Sequence, residues 1–492
     1  MADPTVKLLE SDHSKWIFPL RTPLVFAAAD PNMLRAHIRK ILDAGQPEAF
    51  VPGHIAYSRK DPHHLRRVQV LDPIATFFLY DFVQTHRDAF PRPTLDGRDV
   101  FGHFFESKKF VSGFSEYHRF RRRKYELIAN YGHFAQVDVF NCFNSFYHHD
   151  VTSFVAERVS LPAGEEIGQF LRELNLGVSI ACFPQGLYPA KVLGSAYLSL
   201  VETSRKLKAP GLARFLDDIV LAAKTSREVD DCILELQYLL DKHHLSLNDS
   251  KTTVGEEGQR FQERKLDRIK RQLLEKREAV KPGYDSDADE DDENDDEGLT
   301  DSERSYLVDL ISEHNVAQED IELALGLMGD DEEGFNLLTH LVLDSAPHLL
   351  RDFHRFVSDY TGSEDVLWNS INDTLSAERI LPEHDLFWIA RILISQFQFD
   401  QSVADALLEI YQRANGSAVV RAAILETEYL DHGFADLKIE AIRSEGTLLL
   451  AAAGMVGLAS FNKAKRNQIF KYVARNSPHL AMLVQVAGTL RG

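Results

Sequence analysis

A run of acidic residues divides this chain into two parts with different patterns. Residues 285–303, DSDADEDDENDDEGLTDSE, contain twelve acids and no base, and Ala288 is the only apolar residue before Leu299. Such a run cannot bury a core, and its like charges repel each other, so we predict a disordered acidic linker over 282–299. Without this run the net charge of the chain would be −8 instead of −20.

The two parts also differ in the secondary structure that their patterns predict. Over residues 1–255, strand-like and helix-like segments alternate, which predicts an α+β region. A basic amphipathic helix is predicted over 256–281. Residues 300–492 are predicted to be almost entirely helical, with helix pairs beginning near 384, 417 and 447, and with Thr300 in a capping box that opens the first helix. This spacing favours an α-solenoid, although a plain helical bundle stays open because no sequence repeat is visible.

The sequence lacks signals for secretion or membrane insertion. The N-terminal stretch MADPTVKLLESDHSK has neither a basic nor an apolar region of the kind that signal peptides carry. The longest apolar run, 447–461, is shorter than the roughly 20 residues that a membrane-spanning helix needs. Cys142, Cys182 and Cys232 are far apart and form no CxxC pair, which predicts neither a disulfide framework nor a thiolate zinc site. We therefore expect a cytoplasmic protein that does not bind membranes.

Two adjacent acids lie inside an otherwise apolar stretch, GLARFLDDIVLAAK, at Asp217 and Asp218. The pattern predicts a strand, a tight turn at the acids and a second strand. Two neighbouring carboxylates favour a bound cation, but aspartate is also a common turn residue. A third acid, Asp138, follows an alternating strand pattern in HFAQVDVF. Three carboxylates at neighbouring strand ends would complete a site for two Mg²⁺ ions, with Mn²⁺ as an alternative, and such a site binds a nucleoside triphosphate and promotes its transfer.

Two further segments lie between and after these acids. FPQG (183–186) precedes an apolar helical pattern and predicts a loop that leads into a helix beneath a nucleotide-binding surface. LSLNDSKT (245–252) follows a leucine-rich helical segment and supplies Asn248 and Lys251. In this order and spacing, VDVFNCF, FPQG, RFLDD and LSLNDSKT resemble motifs A, B, C and D of the palm of reverse transcriptases. SRKDPHHLRRVQVLDP and VSGFSEYHR resemble segments of the fingers, so that the resemblance covers about residues 20–255.

The resemblance implies a reverse-transcriptase fingers and palm, DNA polymerase activity and a role for each matching residue. The implied metal ligands are Asp138, Asp217 and Asp218, and the implied catalytic lysine, which neutralises or protonates the leaving pyrophosphate, is Lys251. The residues implied to contact the incoming dNTP are Lys60, Arg66, Phe143, Gln185 and Gly186. Among them, the Phe143 ring would exclude a 2′-hydroxyl, and Arg67 is an equal candidate for the role of Arg66 in holding the triphosphate.

The sequence departs from the family pattern at three places. Leu216 stands where a small residue usually precedes the two acids, Asn144 stands where many relatives have Asp, and the usual Ser shortly after Gly186 is missing. These departures leave metal binding intact and put ordinary use of a template in doubt.

The regions after the palm are similar to those of the abortive-infection (Abi) reverse transcriptases of bacterial phage defence, the AbiK-like type. That resemblance implies a HEAT-like helical domain, homo-oligomers, and untemplated synthesis of single-stranded DNA that starts from a hydroxyl of the protein itself. Tyr57, Tyr147 and Tyr188 are candidates for that hydroxyl, and the sequence does not choose among them. Two alternatives stay open: a polymerase that copies a bound RNA, and a non-catalytic scaffold with a degenerate palm.

Overall fold

The structure is a computed structural model that describes most of the chain. The described residues are 3–43, 48–93, 95, 97–106, 109–180, 183–256, 269–270, 272–273, 276–277, 299–313, 316–329, 331–444, 446–471, 473 and 477–490. Most of the predicted basic helix and all of the predicted acidic linker except Leu299 lie outside the described residues, so both stay predictions.

The region up to residue 256 is mixed α/β, as the alternating pattern predicted. Its described helices are α1 (Pro4–His13), α2 (Arg21–Ala29), α3 (Pro31–Leu42), α4 (Pro73–Thr85), α5 (Gly113–Tyr131), α6 (Cys142–Ser145), α7 (His148–Arg158), α8 (Leu161–Leu174), α9 (Tyr188–Tyr197), α10 (Leu200–Thr203) and α11 (Ser226–Asp241). Its strands are β1 (His54–Arg59), β2 (Leu65–Val70), β3 (Arg98–Phe101), β4 (Phe105–Glu106), β5 (Lys109–Phe110), β6 (His133–Asp138), β7 (Gly211–Phe215), β8 (Asp218–Ala223) and β9 (Thr253–Glu256).

Five of these strands form one mixed sheet in the order β3-β7-β8-β6-β9. Strand β3 runs parallel to β7, and all other neighbours in the sheet are antiparallel. β7 and β8 form the tight hairpin that GLARFLDDIVLAAK predicted. β1 pairs with β2, and β4 with β5, in two separate two-stranded ribbons.

The alternation of side chains gives the five-stranded sheet two covered faces. On one face, Val137 and Leu221 belong to a large apolar cluster that also contains Leu236 of α11. On the opposite face, Ala213 and Val220 pack in a smaller cluster together with two apolar residues of α5. The sheet therefore lies between α11 on one side and α5 on the other.

In the described region from residue 299 onward, helices are the regular elements, joined by loops. Its helices are α12 (Asp301–Ile311), α13 (Gln318–Leu327), α14 (Glu332–Asp344), α15 (Leu350–Asp359), α16 (Asp365–Ser376), α17 (Glu383–Gln396), α18 (Gln401–Arg413), α19 (Ala418–Leu425), α20 (Phe434–Arg443), α21 (Leu448–Gly457), α22 (Lys463–Phe470) and α23 (Pro478–Ala487). The predicted capping box is confirmed, because the Thr300 hydroxyl accepts from the Glu303 amide while the Glu303 carboxylate accepts from the Thr300 amide. Every residue of α21 is buried, as expected of the apolar run. Among the described residues, we find no helix that combines the length and apolar character needed to cross a bilayer.

The helical region contacts the β1–β2 hairpin through a paired ionic contact. The Arg59 guanidinium donates to both carboxylate oxygens of Asp385 in α17, at 2.7 and 2.8 Å. A second contact joins the loop after α19 to the start of α2, where the buried Glu426 carboxylate accepts from the Thr22 amide at 2.8 Å and from its hydroxyl at 2.9 Å. These contacts fix the hairpin and the N-terminal helices against the helical region.

Candidate active site

The five-stranded sheet brings together three acids from two distant segments of the sequence. Asp138 is the last residue of β6, and it pairs directly with Asp218, the first residue of β8. Asp217 lies in the two-residue turn between β7 and β8, and its carbonyl accepts a hydrogen bond from the Val139 amide at 3.1 Å. Directly paired residues in an antiparallel sheet have Cβ atoms about 4.5–5.5 Å apart. The structure therefore places all three predicted carboxylates at one end of the sheet.

The carboxylates affect one another electrostatically. Burial raises the pKa of Asp217, and the charge of Asp138 raises it further. For Asp218, burial and the charges of Asp217 and Asp138 raise the pKa to about 7. Lys251 opposes both shifts. Because three partly buried negative charges repel each other, this end of the sheet favours an additional positive partner.

The Asp138 carboxylate is held by two residues of the LSLNDSKT segment. Lys251 Nζ lies 3.0 Å from one carboxylate oxygen, and Asn248 Nδ2 donates to the other at 2.8 Å. The Asn248 amide also donates to the Asp138 carbonyl at 2.8 Å. The Lys251 side chain is half-exposed, so its ammonium faces both the carboxylate and the solvent. The segment thus fixes Asp138 through its main chain and its side chain.

The donor chemistry of this site suits magnesium, but its geometry is not a preformed metal cage. Carboxylate oxygens are the protein ligands that Mg²⁺ prefers. Within the described ranges, however, no group of three or more His, Cys, Asp or Glu side chains is close enough to hold a metal ion. The Asp138 carboxylate accepts one hydrogen bond at each oxygen, from Lys251 and Asn248, and each oxygen keeps a second lone pair. The predicted two-metal site therefore stays a prediction.

The β1–β2 hairpin brings one of the two candidate arginines to the carboxylates. Burial lowers the pKa of Arg66, and the negative charges of Asp217 and Asp138 partly offset this effect. Arg66 therefore interacts electrostatically with both carboxylates. Arg67 follows Arg66 in the strand, so its side chain points to the opposite face of the hairpin. Lys60 is exposed in the turn, where its amide donates to the His64 carbonyl. The geometry favours Arg66 over Arg67 as the cation beside the acids.

The FPQG loop contacts the N-terminal segment of the chain. Gly186 has φ +94°, and a Cβ at this position would lie 2.9 Å from Ile17 Cγ1, so a larger residue would be strained and crowded. Gln185 is half-buried and, together with Ile17, lines a small cavity against strand β2. The structure thus anchors both residues at the entrance to α9.

Phe143 lies in α6 and packs against the helix that follows the FPQG loop. Its ring centroid is 5.8 Å from that of Phe146. A Cβ at Gly194 of α9 would lie 2.9 Å from the Phe143 ring, so this glycine lets the ring approach the helix. Phe143 is half-buried, which leaves part of its ring accessible five residues after Asp138.

A fully buried arginine fixes the turn that carries Asp217; the sequence suggested that Arg214 pairs with an acid, but not which acid or that the arginine holds the turn. Arg214 is 0% exposed and bonds both carboxylate oxygens of Glu202, at 2.9 and 2.6 Å. It also donates to the carbonyls of Leu216 and Ser195, both at 3.0 Å. Leu216 has φ +52°, a conformation that costs free energy for a residue with a side chain. The signal in the sequence was the charged residue inside the otherwise apolar strand GLARF, which indicates a buried charge that needs a partner.

The three candidate tyrosines differ in how accessible their hydroxyls are. Tyr188 is 4% exposed, and its hydroxyl donates to the Phe104 carbonyl at 3.0 Å, while burial raises its pKa well above the usual range. Tyr147 is half-buried beside His244. Tyr57 is 44% exposed on β1. The structure therefore disfavours Tyr188 as a nucleophile and does not decide between Tyr57 and Tyr147.

The raised pKa of Asp218 predicts a specific dependence of stability on pH. Since the folded state holds the Asp218 proton up to about pH 7, while an unfolded aspartate loses it near pH 3.9, stability falls as pH rises through this window. Asp218→Asn removes the ionisation and is expected to raise the free energy of unfolding by ~1–2 kcal/mol at pH 8, and by less at pH 5.

Urea unfolding in EDTA at pH 5 and pH 8 measures this difference without interference from divalent cations. The exposed Asp230→Asn serves as the matched control, which we expect to change stability little at either pH. An Asp218→Asn variant with the same pH dependence as the wild type would contradict the pKa assigned to Asp218.

Comparisons with known proteins give a likeness to solved structures alone. No protein-family model matches the sequence, and neither does any curated protein. Telomerase from Candida albicans with a TWJ fragment of telomeric RNA is similar at a TM-score of 0.33 and 12% identity, over 78% of this chain and 65% of that chain. Apo telomerase from Candida tropicalis is similar at a TM-score of 0.33 and 10% identity, over 79% of this chain and 71% of that chain. This chain thus spans slightly less than two thirds of the Candida albicans protein, and a likeness at this level says nothing about activity.

Proposed function

We propose that this chain is a nucleotidyltransferase of the reverse-transcriptase type, which adds deoxynucleotides to a hydroxyl. The observation that supports this proposal best is the meeting of Asp138, Asp217 and Asp218 at one sheet end, with Lys251 and Arg66 beside them. The sequence motifs that carry these five residues occur in the same order in reverse transcriptases. A fingers-and-palm fold for the mixed α/β region, followed by a HEAT-like helical domain, is part of the same proposal.

In this proposal, the three aspartates hold two divalent cations. Bound there, such cations supply electrostatic activation of the attacking hydroxyl and stabilisation of the leaving pyrophosphate. To hold them, the Asp138 carboxylate would exchange its hydrogen bonds with Lys251 and Asn248 for cation contacts. The half-exposed Lys251 ammonium is then available to neutralise the leaving pyrophosphate or to donate a proton to it.

Other residues would bind and select the nucleotide. Arg66 binds the triphosphate as a planar fork, and Lys60 on the hairpin turn adds a point charge. Gln185 and Gly186 border the nucleotide from the loop before α9. Phe143, which packs against α9, would exclude a 2′-hydroxyl and so favour deoxynucleotides.

We further propose untemplated synthesis that starts from a hydroxyl of the protein, within bacterial antiphage defence by abortive infection. The support is the motif resemblance together with the departures at Leu216, Asn144 and the position after Gly186. The product would be single-stranded DNA attached to the protein, and the helical region would assemble copies of the chain into a homo-oligomer. Tyr57, with its exposed side chain, is one available hydroxyl.

A labelling experiment tests this function. Purified protein is incubated with Mg²⁺, or with Mn²⁺ in parallel, and labelled dNTPs, without template or primer, and is run on a denaturing protein gel. We expect label that migrates with the protein, disappears after protease treatment and is absent in EDTA. Label that appears only after an RNA and a primer are added would instead indicate a templated enzyme. No incorporation under either condition would favour a non-catalytic scaffold.

A further inference from the structure

Helix α5 covers the same sheet face on which the candidate carboxylates lie. Asp138 pairs with Asp218, and Gln136, two residues earlier in β6, therefore points to the same face as Asp138. The Gln136 side chain accepts a hydrogen bond from Lys124 Nζ of α5 at 2.5 Å. Phe215, which pairs with Asp218 across the hairpin, belongs to the apolar cluster that α5 completes. A nucleic acid that reaches the carboxylates from this side therefore meets α5 instead of an open sheet.

The exposed side of α5 carries alternating aromatic and cationic residues. Tyr117, Arg121 and Tyr125 follow one another at four-residue intervals, so they form one stripe along the helix. The two tyrosines are 43% and 47% exposed, and Arg121 is exposed as well. Lys124 Nζ lies 5.9 Å from the centroid of the Tyr125 ring, at the edge of the stripe. We call Tyr117, Arg121, Lys124 and Tyr125 the α5 stripe.

The α5 stripe begins beside the candidate active site. The Tyr117 ring centroid is 5.3 Å from that of Phe215, whose strand partner is Asp218. From Tyr117 the stripe extends for eight residues, or about 12 Å along the helix axis. Leu127 and Tyr131, which follow Tyr125 in α5, lie against Gly211 at the end of β7 opposite the hairpin turn that carries Asp217. The stripe therefore offers a track that leads from the carboxylates to the protein surface.

The charge of α5 contrasts with the charge of the whole chain. The chain carries a net charge of −20, yet α5 contains five cationic residues, Arg119, Arg121, Arg122, Arg123 and Lys124, and two acids. Glu116 forms ion pairs with Arg119 and, from outside the helix, with Arg92, and Glu126 forms ion pairs with Arg122 and Arg123, so that cations outnumber acids along α5. The local field of α5 therefore favours a polyanion, although the whole protein does not.

We propose that the α5 stripe binds a single strand of nucleic acid whose 3′ end lies at the candidate carboxylates. Unpaired bases stack on Tyr117 and Tyr125, and Arg121 contacts the phosphates. A single strand fits better than a duplex, because stacking on exposed rings requires bases that are not already paired. This inference rests on the proposed nucleotidyl transfer for the identity of the strand, but it concerns binding, which is measurable without any transfer.

Fluorescence anisotropy with a labelled 20-nucleotide oligothymidylate in EDTA tests the α5 stripe while excluding incorporation. Tyr125→Leu is expected to weaken binding at least ~fivefold, since stacking of one base contributes that much or more. Tyr125→Phe keeps the ring and is expected to bind like the wild type. Tyr238→Leu, at a tyrosine on α11 that is 71% exposed, is the matched control and is expected to have no effect.

The charged part of the stripe has its own measurement. Arg121→Gln is expected to reduce the slope of log affinity against log salt concentration by about 0.7, the value for one lost phosphate contact on a single strand. Unchanged circular dichroism and thermal unfolding of each variant confirm that the fold is intact. If Arg121→Gln shows the same dependence of affinity on salt as the wild type, Arg121 does not contact a phosphate of the bound strand.

The outcomes separate this inference from the proposed function. Wild-type affinity in Tyr125→Leu overturns the α5 stripe, even when the protein incorporates nucleotides. A duplex of the same length that binds as tightly as the oligothymidylate overturns the single-strand assignment. Conversely, the protein could incorporate no nucleotides while Tyr125→Leu still weakens its binding of the oligothymidylate. That result would support the α5 stripe and refute the proposed catalytic function.

Discussion

Replacement of Arg214 by methionine is expected to lower the free energy of unfolding by about 3–5 kcal/mol. Arg214 and Glu202 have fully buried side chains, and two short hydrogen bonds join them. Methionine fills a similar space but leaves the Glu202 carboxylate buried without its cation, which costs more than the lost contact itself. The Leu216 carbonyl also loses a donor in the turn that carries Asp217.

A second variant distinguishes an unpaired charge from a general loss of packing. The double change Arg214→Met with Glu202→Leu removes both charges and is expected to recover most of the lost stability. Arg122→Met is the matched control, because the Arg122 side chain is 77% exposed and lies 3.9 Å from Glu126, so a change within about 0.5 kcal/mol is expected. Chemical denaturation of the three proteins measures the differences. Equal losses in Arg214→Met and Arg122→Met would show that the buried pair has no special importance.

The acid-bearing hairpin could be predicted from the sequence because the signals are local. Alternating apolar residues on both sides of two acids specify two short strands and a tight turn, whatever surrounds them. Asp138 ends a strand of the same kind, and the structure pairs it with Asp218. The partner of Arg214 had no local signal, because Glu202 lies twelve residues earlier in a different element and meets the arginine only after the sheet has packed on α9 and α10. The placement of α5 over the carboxylate face was likewise a product of tertiary packing.

In the helical region, periodicity predicted helices better than it predicted their ends. The helix predicted to begin near residue 384 corresponds to α17, Glu383–Gln396. The apolar helical pattern that begins near residue 417 continues to residue 430, but the helix itself ends at Leu425. Beyond Leu425, the buried Lys438 ammonium donates hydrogen bonds to the carbonyls of Thr427 and Tyr429. The donor to these carbonyls is thus a lysine side chain of the next helix, α20, and not a backbone amide of α19. The pattern of apolar residues around 417–430 does not show that a lysine from the next helix will take the place of backbone hydrogen-bond donors. The end of α19 could therefore not be predicted from that pattern.

Asp217→Asn is expected to lower the initial rate of nucleotide incorporation by at least ~10³-fold, equivalent to about 4 kcal/mol of transition-state stabilisation. Asparagine has nearly the same shape as aspartate, so the turn held by Arg214 should persist while one negative charge disappears from the candidate active site. The loss is expected with Mg²⁺ and with Mn²⁺, because the neutral amide is a poor ligand for either cation. Incorporation of labelled dNTPs by equal amounts of wild-type and variant protein measures it.

Stability separates a catalytic effect of Asp217→Asn from a folding defect. Burial and the charge of Asp138 raise the pKa of Asp217, so the ionised carboxylate destabilises the cation-free fold and its removal should leave stability in EDTA equal or higher. Asp230→Asn, at an exposed position of α11, is the matched control and should retain wild-type incorporation. An inactive Asp217→Asn protein that unfolds at or above the wild-type temperature places the carboxylate in the reaction. Retained incorporation would refute the proposed role of Asp217, whereas loss of both activity and stability would assign the residue to the fold.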